Sequence, residues 1–370
     1  MGEWRNYHIY YTDPDRLILE CVYPLLERHQ EHLEKCFWER HYAGGPHLRV
    51  RLHGSADDVS KAASELVAEA TSYMTRFPSA PQTNYSSQLA KKMVEMEDEP
   101  SEPEDLAYRV NEIHERPYQR LNHRLVSDEA ARLLEDFLQD IMPIVAAILK
   151  APLPKLEQML RIYFVDALFG SKDLPHGCVS FKSHWEGLAM NYSNPRLNDR
   201  IESNYAQKRE RIRELMLDVK EHFENKTLEN DPILKGWVDI VTRYSERTRT
   251  VLETGKHITP QYETIENVRL AKQNLEEHMW QDSNFLRTLY GDERFLALVQ
   301  YEPKFLVPRV MVNLLYRLLG MIGLNVIDKM TLCYYAHRIV EDHFQCDLTD
   351  ILKENMEKIV SRHAHRLTQQ

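Results

Sequence analysis

Gly44 to Gly54 reads GGPHLRVRLHG. Side chains on a strand alternate faces, so His47, Arg49, Arg51 and His53 share one face and Leu48, Val50 and Leu52 the other. Same-face neighbours lie about 6.5–7 Å apart. Two guanidinium forks between two imidazoles have the chemistry to clamp an extended anion or a peptide carboxylate. The same alternation also describes a half-buried strand whose basic face is simply solvated. Gly44, Gly45 and Pro46 supply the turn that delivers the strand.

Two further places carry chemistry. In GCVSFKSHWEGL, Gly177 to Leu188, the period changes from two to helical at Ser183, and Ser183 with Glu186 matches a Ser-x-x-Glu capping box. This spacing predicts His184 as the first helical residue. The positive end of the helix dipole disfavours imidazolium there, and a neutral His184 can accept a proton. An ordinary histidine beside a cap fits the same spacing. After Pro308, an otherwise apolar helix carries Arg309, Asn313 and Tyr316 at steps of four and three. A polar stripe on a buried helix needs partners or a cavity. Tyr316 is therefore a candidate hydrogen-bond donor lining a pocket, with a structural polar seam as the alternative.

Other chemistries are poorly supported. The 17 histidines form no HExxH, HxxEH or Cys/His quartet, and His337, Asp342 and His343 fall on mixed faces of one helix. No metal site is expected. GxGxxG, Walker and GxSxG patterns are absent, which argues against nucleotide cofactors and serine hydrolysis.

These residues need elements to position them, and the bulk numbers allow a full core. The chain has 370 residues, 43% of them hydrophobic, and a formal net charge of -10. That balance excludes nucleic-acid binding by bulk electrostatics, and a local basic stripe on an acidic body points to a specific anionic ligand. The five cysteines show no CxxC spacing and read as reduced thiols of a cytoplasmic protein. The N-terminus lacks the apolar stretch of a signal peptide, and Asn6 stands where a myristoylation motif needs Ser or Thr. Val310 to Ile327 is interrupted by Asn313 and Arg317, so it reads as core and no membrane association is expected.

Trp4 to Tyr11 is aromatic and β-prone and predicts a strand. Asp13 and Pro14 open a helix to about Gln30, Glu34 to Glu39 predicts a second strand, and Ala56 to Arg76 predicts a helix. This order argues for a small α+β core of strands and helices at the N-terminus. Glu95 to Asp105 holds an acidic run with two prolines, EMEDEPSEPED, and reads as a solvated loop near 95–105. The remainder is mostly helical: from the Ser127 cap to about Lys150, Pro154 to Gly170, Asp199 to Asn225, Pro308 to near Gly320, and Asn325 to about Phe344. The expected fold class is α+β, as a single domain over 1–370.

With these residues in view, the chain resembles the thiopeptide-type bacteriocin biosynthesis domain, which also forms the C-terminal elimination part of lantibiotic dehydratases. The resemblance rests on Trp4 and its aromatic strand and on FWERHYAGGPHLRVRLHG, Phe37 to Gly54, and extends roughly from Trp4 to Phe344. Elimination domains carry a Glu-x-x-Arg-Tyr-Gly-Gly element that the corresponding Asn84 to Met96 lacks. They tend to end with His-Met-x-x-Asn-Arg-Leu, whereas Asn313 to Asn325, NLLYRLLGMIGLN, looks like the Asn-x-Leu-Tyr helix of stand-alone thiopeptide pyridine synthases. SNFLRTL, Ser283 to Leu289, and FKSHWEGL, Phe181 to Leu188, look like two more elements of that group.

The resemblance implies a peptide-modifying enzyme that joins two dehydroalanines by a formal aza-[4+2] cycloaddition. Water and the leader peptide are then expelled, leaving a pyridine-centred macrocycle. It implies a modified precursor peptide with its leader as substrate, other enzymes of the same pathway as partners, and no metal or redox cofactor. It makes His184, Ser283 and Tyr316 catalytic candidates and gives His47, Arg49, Arg51 and His53 to substrate or leader binding. The alternatives are a stand-alone lyase that eliminates glutamate to leave dehydroamino acids, and a non-catalytic leader-binding scaffold.

Overall fold

The computed structural model describes residues 2–42, 44–82, 86, 107–118, 120, 127–171, 173–192, 194–255, 258, 283–299 and 302–362. The acidic loop expected near 95–105 lies outside the described residues. Contacts divide the chain into two compact units, 1–151 with 317–323, and 152–316 with 324–370. The architecture is α+β, with one four-stranded antiparallel sheet near the N-terminus and helices elsewhere.

In the first unit, β1 (Glu3–Tyr10) is followed by α1 (Pro14–Leu17), a π-helical turn (Ile18–Val22) and α2 (Tyr23–His29). Then come β2 (Lys35–His41), β3 (His47–Gly54), α3 (Ala56–Arg76), β4 (Glu112–Arg116), α4 (Asp128–Asp140) and α5 (Met142–Lys150). The sheet order is β2-β3-β1-β4. The GGP turn works because Gly44 and Gly45 hold φ of 72° and 113°, which side chains rarely tolerate. Ser55 caps α3 by accepting from the Asp58 amide at 3.2 Å. Helix α3 then lays Val59, Ala62, Ala63 and Leu66 into the core, to which the sheet contributes Ile9, Trp38, Leu48, Val50 and Leu52, all fully buried or nearly so. Each such aliphatic side chain contributes about 1.5–3 kcal/mol of transfer free energy.

One expectation for this unit changes, and one element is new. The helix from Ser127 breaks at Ile141, because Pro143 fits only the first turn of a new helix. Strand β4, charged and on the sheet edge, carries no sequence signal of its own; it forms by pairing with β1.

The second unit holds α6 (Lys155–Phe169), α7 (Leu174–Tyr192), α8 (Pro195–Glu224), α9 (Pro232–Glu253), α10 (Asn284–Gly291), α11 (Glu293–Val299), α12 from Pro303, α13 (Val326–Phe344) and α14 (Leu348–Arg362). Helix α12 runs Pro303–Met321, so Pro308 lies inside it and Pro303 takes the first-turn position expected of Pro308. Helix α7 overturns the period change at Ser183. Its start is fixed by Asp173, whose side chain accepts from the His176 amide at 2.9 Å, and GCVSF is helical. Gly177 lets α7 approach α6 closely: a Cβ there would stand 2.2 Å from the Ala167 carbonyl oxygen. Alternation over five residues was too short a signal to outweigh that packing. Helix α13 packs along α7 in the same unit.

Candidate active site

In the second unit His184 is mid-helix on α7, not the first helical residue expected from the Ser183–Glu186 spacing. Its Nδ1 lies 2.8 Å from the Ser180 carbonyl oxygen. A carbonyl only accepts, so Nδ1 carries the hydrogen and Nε2 presents its lone pair. Burial, with Lys329 and Arg309 nearby, pulls the imidazole down to about 4, against the opposing Ser180 bond. The neutral form of His184 is thus favoured by burial and cations rather than by a helix N-terminus.

The His184 ring meets Tyr316 edge to face, with centroids 5.0 Å apart. Tyr316 Oη lies 3.6 Å from Cys333 Sγ on α13, and burial holds the phenol well above its ordinary value, so it stays a neutral donor. Cys333 is itself pushed up to about 11 by burial and stays a thiol. Of the expected stripe, Arg309 and Asn313 are solvent-exposed and Tyr316 is half-buried. Tyr163 on α6, fully buried, stacks on Phe181 at 4.6 Å and lies 6.4 Å from Tyr316.

Ser283 has different company. It is buried, caps α10 by accepting from the Leu286 amide at 3.0 Å, and hydrogen-bonds the Glu186 carboxyl. Burial raises Glu186 above its ordinary value, with Ser283 and Lys182 working against it. Lys182 is buried as well and pairs with Glu341 at 2.6 Å and Asp347 at 3.1 Å. His184 and Tyr316 are therefore brought together, while Ser283 belongs to an ionic network that holds α7, α10 and α13.

The first unit presents the basic strand. The predicted alternation is observed, with Leu48, Val50 and Leu52 in the core. Across the sheet, His47, Arg49, Arg51 and His53 stand opposite Tyr10, His8, Asn6 and Trp4 of β1. Only part of this face meets solvent. Arg51 is 2% exposed, ion-paired with Glu39 and flanked by the Phe37 and Tyr118 rings at 5.4 and 5.5 Å. Burial raises Glu39, but Arg51, His41 and Arg317 outweigh it and hold the carboxyl at about 2.

His47 is 1% exposed; its Nδ1 donates to the Gly45 carbonyl at 2.9 Å and its Nε2 meets the Arg49 guanidinium at 3.3 Å, which fixes the ring's orientation. Its ring stacks on His8 at 4.9 Å. Arg49 and His53 keep partial exposure, and His53 stacks on Trp4 at 4.5 Å. Of the four residues given to ligand binding, His47 and Arg51 are buried, while Arg49 and His53 keep partial exposure although Arg49 bonds His47 and His53 pairs with Glu34 at 3.2 Å.

Sequence inspection missed Lys329, Cys333 and Tyr163 around Tyr316, and Glu39 beside Arg51. The step of four from Lys329 to Cys333 on one helix face was the available signal. Among the described residues, no cluster of His, Cys, Asp or Glu is placed to hold a metal ion, and no helix is long and apolar enough to cross a membrane.

Comparison with known proteins agrees with this architecture. No curated protein matches the chain significantly. Among solved structures, the pyridine synthase TbtD from thiomuracin biosynthesis superposes with a TM-score of 0.67 at 23% identity, over 92% of this chain and 99% of its own. TsrL superposes with a TM-score of 0.65 at 15% identity, over 95% of this chain and 98% of its own. At these identities the two share the fold. Residues 4–340 match the family described as lantibiotic biosynthesis dehydratase C-term, and the chain belongs to that family.

Proposed function

We propose that this protein is a thiopeptide biosynthetic enzyme of the pyridine synthase type. It would act on a precursor peptide that carries two dehydroalanines and a leader. The observation that carries the proposal is the neutral His184 imidazole set against the Tyr316 phenol. The fold shared with TbtD supports the same reaction class.

The chemistry asks for little beyond positioning and proton placement. Folding a flexible peptide so that its two alkenes meet can supply up to about 7–11 kcal/mol of the barrier. One alkene enters as part of an azadiene, formed when the intervening amide moves its proton from nitrogen to oxygen. Tyr316 donates a hydrogen bond to that oxygen, and Nε2 of His184 accepts the nitrogen proton. After the two new bonds close the six-membered ring, water leaves. The leader then leaves as its amide, and the ring becomes a pyridine. His184 returns protons to the departing groups.

In this proposal Ser283 positions α10 through its cap and its bond to Glu186. Arg49 and His53 bind an acidic stretch of the leader, and His47 and Arg51 hold that surface in shape. The test is mass spectrometry of a leader-bearing, dehydroalanine-containing peptide incubated with the protein. An intact leader fragment together with a macrocycle supports the proposal. Loss of glutamate from a glutamylated peptide, with no macrocycle from the first substrate, replaces it with the elimination lyase.

A further inference from the structure

Lys329 lies on the second unit's α13, and its ammonium sits 3.6 Å above the centroid of the Tyr316 ring. That position is built into the helix start. Asn325 accepts from the Ile327 and Asp328 amides at 2.8 and 3.2 Å, and Asp328 returns the contact to the Asn325 amide at 2.8 Å. This reciprocal capping box pins the first turn, so the fourth residue of α13 is presented on a fixed backbone. It also engages Asp328, the neighbouring carboxylate.

A cation over the face of an aromatic ring is attracted by the ring's quadrupole, and the attraction grows as the ring gains negative charge. A phenol that hydrogen-bonds a reacting carbonyl gains such charge as its proton moves away. Among the described residues, the other groups that act on His184 and Tyr316 are Arg309 from α12, Cys333 from α13, and Tyr163 and Asp166 from α6. Burial holds Cys333 as a thiol and lifts Asp166 to about 7. Lys329 is the cation in direct contact with the Tyr316 ring.

We propose that Lys329 is a positioning residue for the His184–Tyr316 pair: seated over the Tyr316 ring, its ammonium steadies the negative charge the phenol gains as it donates and keeps the resting His184 ready to accept a proton. One fixed charge thereby sets the donor and the acceptor in complementary states. The inference rests on His184 and Tyr316 being the acting pair.

The experiment compares the full-length chain with Lys329→Met, which keeps the aliphatic stem, and Lys329→Arg, which keeps the charge. Histidine ring NMR follows the His184 midpoint, assigned by the signal lost in His184→Ala, and thermal melting confirms folding. In Lys329→Met the midpoint should rise from about 4 towards the ordinary 6.5. Macrocycle formation should slow about tenfold in kcat with KM unchanged, the scale of a partly desolvated cation–π contact. Lys329→Arg should restore both. An unmoved His184 midpoint in folded Lys329→Met overturns the inference, even if His184→Ala is catalytically dead. Full turnover in His184→Ala instead removes the pair from catalysis, and with it the positioning role of Lys329.

Discussion

The basic strand of the first unit and the His184–Tyr316 pair of the second solve opposite electrostatic problems. Arg51 carries a permanent charge and is buried only because Glu39 neutralises it and two rings cover it. His184 and Tyr316 are half-buried without charge; burial lowers the one and raises the other, so that at neutral pH neither is ionised. A buried charge pair is expensive to disturb and poor at exchanging protons. A neutral donor beside a neutral acceptor can pass a proton without a fixed charge to desolvate. The most buried cation of the strand is therefore structural, and the proposed chemistry falls to groups that look ordinary in a sequence.

The contrast breaks most visibly at His184. His184→Ala should lower macrocycle formation by about two to four decades, the usual contribution of a positioned acid–base group. The melting temperature should barely move. Near-normal turnover removes the proton-transfer role. In the first unit the same type of substitution should do the reverse. Arg51→Ala removes the direct ion-pair partner of the buried Glu39 and should cost up to about 3–5 kcal/mol of stability, read by denaturant unfolding. Arg49→Ala, at a partly exposed position, should leave stability nearly unchanged and weaken leader-peptide binding by about 1.5–3 kcal/mol. Equal stability losses in the two variants would erase the distinction between the buried arginine and the accessible one.

A smaller effect sharpens the electrostatic side. Burial lifts the Asp166 carboxyl from 3.8 to about 7, with Trp237 acting against the shift. The folded state then holds a proton that the unfolded chain releases. Asp166 therefore stabilises fully below pH 3.8, and its contribution is lost as pH rises through about 7. Asp166→Asn should flatten the fall in melting temperature between pH 5 and pH 8. His184 and His337, lowered to about 4 and about 3, act with the opposite sign: their contribution is lost as pH falls from 6.5 towards those values. A melting profile of Asp166→Asn that overlays the parent across pH 5 to 8 would show that Asp166 is ionised in the fold.

How much of this was legible follows from how local each determinant is. Strand β3 and helix α3 were readable because alternation, the Gly-Gly turn and the Ser55 cap lie within the segments themselves. Strand β4 was not, since Glu112 to Arg116 becomes a strand only when β1 offers its edge. The start of α7 was misplaced because the Ser183–Glu186 spacing imitates a cap, while Asp173 and the close approach at Gly177 decide the outcome. The Arg51–Glu39 pair is diagonal: Glu39 stands opposite Arg49 in register but bonds to Arg51. Such a pair becomes visible only once the strands are aligned. His184, Tyr316 and Lys329 come from three helices, so spacing along the chain could nominate the first two but could not join them.

Tyr316→Phe tests the central claim most directly, because it removes one oxygen and keeps the ring that His184 and Lys329 touch. Turnover on the dehydroalanine peptide, peptide affinity and melting temperature should be measured on the same preparation. Loss of one preorganised donor predicts a barrier increase of about 2.7–4 kcal/mol, two to three decades in rate, with folding and peptide binding retained. Normal turnover, or a rate loss that merely follows a fall in melting temperature, would show that Tyr316 fills space and that the proton chemistry lies elsewhere.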